Sequence, residues 1–333
     1  MSLKTLIRAL PKAELHLHIE GTLSPSLMWE LAQRHGVELP YQSVADIEAA
    51  YQFSDLQSFL DLYYAGADVL RTEDDFYQLM MAYLLKCKEE NIVHAEIMFD
   101  PQTHTERHVS YRTFMTGFLK AIREAQEGWG MSVKLILSFL RHLSEESAIQ
   151  TLQDAEPWYD NIDAVGLDSS ELGHPPEKFE RVFSQARSLG FKVVAHAGEE
   201  GPPEYIWQAI NLLNIDRIDH GVRCSEDDEL LALIKHRQIP LTVCPLSNLK
   251  LCVIDDMAKH NILSLLEEGL LVTVNSDDPT YFGGFMNENF DALESALGMN
   301  EEQLRKLVKN SFTASFLSEE EKLHWHNAVE AVQ

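Results

Sequence analysis

Cysteine is scarce in this sequence: Cys87, Cys224, Cys244 and Cys252 are the four in 333 residues, and no two form a CxxC pair. That sparsity excludes a disulfide framework and reads as the reduced, mostly buried thiols of a cytosolic protein. Positive charge is short as well. Twenty-seven Lys and Arg stand against 53 Asp and Glu, for a formal net charge of −26. Affinity for nucleic acid comes mostly from clustered basic side chains, so no nucleic-acid partner is expected, although a small base or nucleoside remains open. No run approaches the roughly 18 uninterrupted apolar residues of a membrane span. Residues 1–18 hold no sustained apolar stretch with a cleavage site, so no secretory signal and no membrane partner are expected. Fixed-period repeats, low-complexity tracts and Gly/Ser/Pro-rich linkers are also missing. The expectation is one cytoplasmic domain over residues 1–333.

What is present is ordinary globular material, 45% apolar and 24% charged, enough for a large core. Short β-rich runs recur at 13–18, 93–100, 133–139, 164–168, 192–196, 217–220, 240–244 and 271–275. Amphipathic stretches such as 177–189, 204–213, 227–235 and 257–268 lie between them. Eight strands alternating with helices predict an α/β protein with a parallel sheet, and the count of eight favours a closed (β/α)8 TIM-type barrel over a doubly wound open sheet. The first two strands are set unusually far apart. The excess, at about 24–91, predicts a helical insertion at the C-terminal mouth of the barrel, either a lid or extra packing helices. The tail from residue 301 onward is expected to be helical and peripheral.

The polar residues collect at strand ends. His16 and His18 close the first strand in AELHLHIEGT, and at period two they face the same side, as two converging metal ligands must. His324 and His326 repeat the H-x-H spacing in a helical context, where i and i+2 diverge by about 200°, and read as solvated tail residues. His196 ends the fifth strand with Glu199 three residues on, His220 ends the sixth, and Asp277 and Asp278 follow the eighth. Taken singly, Glu199 or the aspartates could cap helices. In a barrel, however, all these ends meet at the one face that carries active sites. Three imidazoles and a carboxylate (His16, His18, His196, Asp277) then make a divalent-metal site, with Glu199, His220 and Asp278 left as acid–base groups.

Five segments carry a family resemblance: PKAELHLHIEGTL (11–23), HAGEEG (196–201), DHGVR (219–223), CPLSN (244–248) and NSDDP (275–279). With them the chain resembles the adenosine and AMP deaminase family of metal-dependent amidohydrolases from residue 11 onward. The resemblance implies a distorted barrel holding one zinc and hydrolytic removal of an exocyclic purine amine, so the expected partner is a small purine. It assigns His16, His18, His196 and Asp277 to the metal. It also assigns Glu199 to protonation of a ring nitrogen, His220 to the attacking water, and Asp278 to both water and purine. Nucleic-acid deaminases use an H-x-E…P-C-x-x-C zinc site instead; here the order is Cys244–Pro245 and CxxC is absent.

Two departures bear on which purine. Glu20 stands where family members acting on nucleosides usually carry an Asp that contacts ribose, and its extra methylene is expected to push the carboxylate into the sugar's space. The stretch GLDSSELGHPP (166–176) also differs from the Gly-containing turn that nucleoside-acting members use after the fourth strand, and FDPQTHT (99–105) resembles the branch that takes the free base. Adenine is therefore the expected substrate, with adenosine as the alternative and a non-catalytic purine binder as the rival of another class. No basic cluster near the motifs awaits a phosphate, which disfavours AMP.

Overall fold

The computed structural model describes residues 2–333. Its centre is an eight-stranded parallel sheet in the order of the sequence. The strands are β1 (Lys12–His18), β2 (Ile92–Phe99), β3 (Ser132–Leu140), β4 (Ala164–Asp168), β5 (Lys192–Ala197), β6 (Arg217–His220), β7 (Leu241–Val243) and β8 (Val272–Val274). The last two are shorter than their apolar runs. Closure is made just beyond β8, where Asp277 N donates to His16 O (3.1 Å) and His18 N to Asp277 O (3.0 Å). The result is a (β/α)8 barrel.

Alternation along the strands sorts the side chains. Ala13, Leu15 and Leu17 of β1 face the surrounding helices and join the main apolar cluster, leaving Glu14, His16 and His18 for the interior. Inside, Met98, Ile136, Ala164 and Val194 form a separate apolar floor on which Phe316 packs. Phe316 sits between the helices Glu301–Ala314 and Glu319–Ala331, so the tail is helical as expected but not merely peripheral. It plugs the bottom of the barrel. His324 is exposed and His326 is hydrogen-bonded to Thr313, away from the mouth.

A short helix, α1 (Leu3–Ala9), precedes β1. The predicted insertion holds α2 (Pro25–His35), α3 (Val44–Ala50), α4 (Leu56–Ala67) and α5 (Glu73–Glu89). Capping fixes their ends: Ser24 accepts from Leu27 N before Pro25, Asp55 and Thr72 form capping boxes, and Gly36 ends α2 at φ +63°. The four helices divide the two roles foreseen for them. Helix α5 packs outside the barrel against Tyr111–Trp129, as an ordinary barrel helix does, whereas α4 lies across the mouth. The predicted helix at 257–268 is broken into a 3-10 turn, Met257–Lys259, and a short helix, Ile262–Glu267, because His260 N closes the turn on Met257 O. No helix among the described residues is long and apolar enough to cross a membrane.

Candidate active site and metal centre

The ends of β1, β5 and β8 bring four groups together. One nitrogen or oxygen from each of His16, His18, His196 and Asp277 lies within 4.8 Å of all the others, and all four residues are buried. His18 Nε2 stands 3.2 Å from His196 Nε2, and Asp277 Oδ1 is 3.2 Å from His16 Nε2 and 3.4 Å from His18 Nε2. At most one hydrogen fits between two imidazole nitrogens so placed, and His16 Nε2 is buried without a hydrogen-bond partner. A cation answers this convergence of lone pairs; the residues present fit a divalent metal.

The other nitrogens of these imidazoles are held from behind. His16 Nδ1 meets Thr242 Oγ1 at 3.0 Å, and that hydroxyl donates to Asp219 Oδ1 at 2.8 Å. His18 Nδ1 faces Asp168 Oδ2 at 3.4 Å and His196 Nδ1 faces Asp219 Oδ2 at 3.6 Å. Such outer partners set tautomer and ring orientation. Sequence reading passed over Asp219 and Thr242, although Asp219 lies inside the DHGVR segment. By alternation Asp219 takes the interior position, and His220 also reaches the site because its φ of +61° breaks the alternation. Asp277 does the same at φ +65°, which lets the adjacent Asp278 share the cavity.

Glu199 and His220 face each other, with Glu199 Oε2 3.5 Å from His220 Nε2. Burial, then the charges of Asp277 and Glu171, pushes the Glu199 carboxyl well above its ordinary range, which favours its protonated form. Burial and the neighbouring His16 ring lower His220 to about 3, so its imidazole is neutral. Burial likewise raises Asp278, despite the opposing pull of His18. Glu199 sits on a loop tied down by one carboxylate. Glu171 Oε1 accepts from Gly198 N (2.7 Å), and its Oε2 accepts from the backbone N–H groups of Glu199 (3.1 Å), Glu200 (2.8 Å) and Gly201 (2.7 Å). A Cβ on Gly201 would stand 2.5 Å from that carboxylate, which is why a glycine follows the two glutamates.

The cavity, counted together with the open space at its entrance, spans about 360 Å³. Helix α4 walls its outer side with Leu56, Phe59, Leu60, Tyr63 and Tyr64, and Asp100, Asp168, Glu199, His220, Asp277 and Asp278 supply its polar lining. The helix is pinned to the barrel by Leu56 N on Glu200 (3.1 Å), Tyr64 OH on Ser169 (2.7 Å) and Ser170 on Gln57 (2.6 Å).

Glu20 is the sequence-selected residue that the structure places differently. It does not line the cavity. Its extra methylene carries the carboxylate sideways, where Oε1 takes His104 Nε2 (2.7 Å) and Asp100 N (3.2 Å). Arg107 can only donate, and it donates to His104 Nδ1 at 2.9 Å; the His104 proton is therefore on Nε2, toward Glu20. The departures at Glu20 and FDPQTHT are thus one hydrogen-bonded unit, which touches the cavity through Asp100 and Tyr63.

Comparison with known proteins agrees with this geometry. The family profile described as adenosine deaminase matches residues 11–332. The adenine deaminase of Acinetobacter baylyi is 59% identical over 332 residues, covering 100% of both chains. The crystal structure of adenine deaminase from Arthrobacter aurescens superposes with a TM-score of 0.95 at 46% identity, over 97% of this chain and 98% of that one. A COG1816 amidohydrolase from Burkholderia ambifaria, solved with bound Zn, gives 0.90 at 28% identity, over 98% and 91% of the two chains. Profile, relatives and superposed barrels coincide over nearly the whole chain, and the chain belongs to the adenosine deaminase family.

Proposed function

We propose that this protein hydrolyses adenine to hypoxanthine and ammonia, with one zinc held by His16, His18, His196 and Asp277. The observation that carries the reading is the convergence of those four ligands at the barrel mouth, with the buried carboxyl of Glu199 lining the same cavity. A divalent cation there supplies Lewis acidity, which makes hydroxide available near neutral pH. The chain's own groups manage the protons. As water adds at C6, electrons move onto N1, and Glu199 delivers a proton there. The neutral His220, 3.5 Å from Glu199 Oε2 and 3.8 Å from Asp277 Oδ2, orients the water, takes its proton and passes it to the C6 amino group. The C6–N bond then breaks to release ammonia as the remaining hydroxyl proton returns to Glu199. Asp278 contacts water and purine, and α4 keeps bulk solvent out until ammonia leaves.

The full-length relatives named adenine deaminase support the free base as substrate. Barrel, insertion and tail act as one catalytic domain, since one apolar cluster runs from Leu6 to Val329. The buried thiols of Cys87, Cys224 and Cys244 suit a cytoplasmic location. Initial rates with adenine and adenosine on metal-quantified protein test the reading. Faster turnover of adenine, with about one zinc per chain, is expected; faster turnover of adenosine overturns the substrate, and full metal without deamination of either overturns the activity.

A further inference from the structure

Adenine differs from every nucleoside in one donor: its imidazole ring carries an N–H where a nucleoside carries the glycosidic bond. In the proposed orientation, C6 and N1 lie toward the metal ligands and Glu199. N9 then lies across the purine, toward the opposite wall of the barrel. Strand order puts β2 diametrically across from β6, whose end carries His220. The residue that follows β2 is Asp100.

Asp100 has the form of a prepared acceptor. It is 2% exposed and lines the cavity. Its Oδ2 takes a hydrogen bond from Tyr63 OH at 3.1 Å, while Oδ1 is buried with no hydrogen-bond partner among the described residues. The backbone is anchored as well, because Asp100 N donates to Glu20, which the Arg107–His104 chain holds in turn. Asp168 and Asp278 also hold buried oxygens without a hydrogen-bond partner, and Asp168 groups with Asp100 and His18. Asp168, however, is turned on His18 Nδ1 (3.4 Å) and Asp278 adjoins the ligand Asp277, which leaves Asp100 as the one of the three anchored from the Glu20 side. A carboxyl group keeps an acceptor oxygen whether ionised or not. An orphaned, buried acceptor costs free energy until a donor reaches it.

Resting on the adenine reading, we propose that Asp100 is the residue that selects the free base, its Oδ1 accepting the N9–H of adenine. The Glu20–His104–Arg107 chain positions it. A nucleoside meets the same carboxylate with no hydrogen to give and a sugar in its place. Sites built to hydrogen-bond a substrate N–H reject analogues lacking it by large factors, on the order of 10⁴ where the loss leaves a buried group unpaired.

The test compares adenine, 9-methyladenine and adenosine by kcat/KM in the wild type and in Asp100→Ala, with metal content and thermal midpoint measured on both. The wild type is expected to prefer adenine over 9-methyladenine by at least about 10². In Asp100→Ala, adenine turnover should fall by about 10² while 9-methyladenine stays level or rises, so that the preference collapses with metal retained. A preference near one in the wild type overturns the proposal without any variant, which covers the case of an alanine protein that does not fold. A variant in which adenine is unchanged and only 9-methyladenine gains makes Asp100 a steric wall and also overturns it. Two metals per chain, one lost with Asp100, would assign the carboxylate to a second cation instead. If the wild type turns over adenosine and not adenine, it is the substrate reading that fails.

Discussion

Glu199 is a carboxyl group whose surroundings favour its protonated form. It is 2% exposed, faces a neutral imidazole, and is hemmed in by Asp277, Glu171, Glu200 and Asp278. The carboxylates among these neighbours work against a further negative charge, which favours the proton that N1 needs. Glu199→Gln keeps the shape and hydrogen-bonding reach but cannot release that proton. Turnover should fall by about 10²–10⁴ while metal content stays at the wild-type level, as checked by single-turnover kinetics on metal-quantified protein. Near-normal turnover would mean that the proton reaches the ring from elsewhere.

At the level of elements, the loop after β5 depends on a residue from the loop after β4. Glu171 accepts all four successive N–H groups from Gly198 to Gly201 and adds its charge to those that raise Glu199. Glu171→Gln turns an amide NH₂ toward backbone donors and removes that charge. The sign follows from the protonated form being the active one: a lower Glu199 pKa empties that form at lower pH. The alkaline limb of the kcat/KM profile should therefore move to lower pH, and kcat should fall more than KM rises as the loop loosens. An alkaline limb that stays in place would leave Glu171 with a scaffold role only. This dependence shows what the sequence could and could not tell. The meeting of His16, His18, His196, Glu199, His220, Asp277 and Asp278 was legible because barrel topology places strand ends at one mouth; strand periodicity by itself pairs only His16 with His18, since His220 and Asp277 break the alternation. Glu171 and Asp219 serve the site through groups distant in sequence, and no periodicity announces such pairs. The direction of the Glu20 carboxylate was hidden for the same reason: its partner, His104, lies on another loop. The reach of one methylene is set by that partner, not by spacing from His18.

Over the whole molecule, the barrel's two ends are built on opposite principles. The mouth gathers histidines and carboxylates for chemistry, while the floor buries an arginine against a glutamate. Arg217, at the start of β6, pairs with Glu96 on β2 and lies 4.2 Å over the Phe316 ring; Glu96 also takes His94 Nε2 (3.0 Å) and Phe316 N (2.5 Å). Both residues of the pair are at most 1% exposed. Burial works against the Glu96 charge, but Arg217 and His94 outweigh it and hold the carboxyl at about 2, below its ordinary 4.5. A depressed folded value gives stability that is complete above the unfolded value and drains away as pH falls through the folded one. Wild-type stability should accordingly decline between about pH 4.5 and about pH 2 through this group. Glu96→Gln leaves Arg217 buried and unpaired, which costs about 3–5 kcal/mol. It also abolishes this group's share of the acid decline. Denaturant unfolding followed across that pH range, with kcat measured at neutral pH, checks both parts. The variant should start less stable and lose less on acidification. Its turnover should stay close to wild type, because neither Glu96 nor its partners Arg217, His94 and Phe316 line the cavity. Equal stability of the two proteins at neutral pH would show that the plug, not the pair, holds the barrel floor shut.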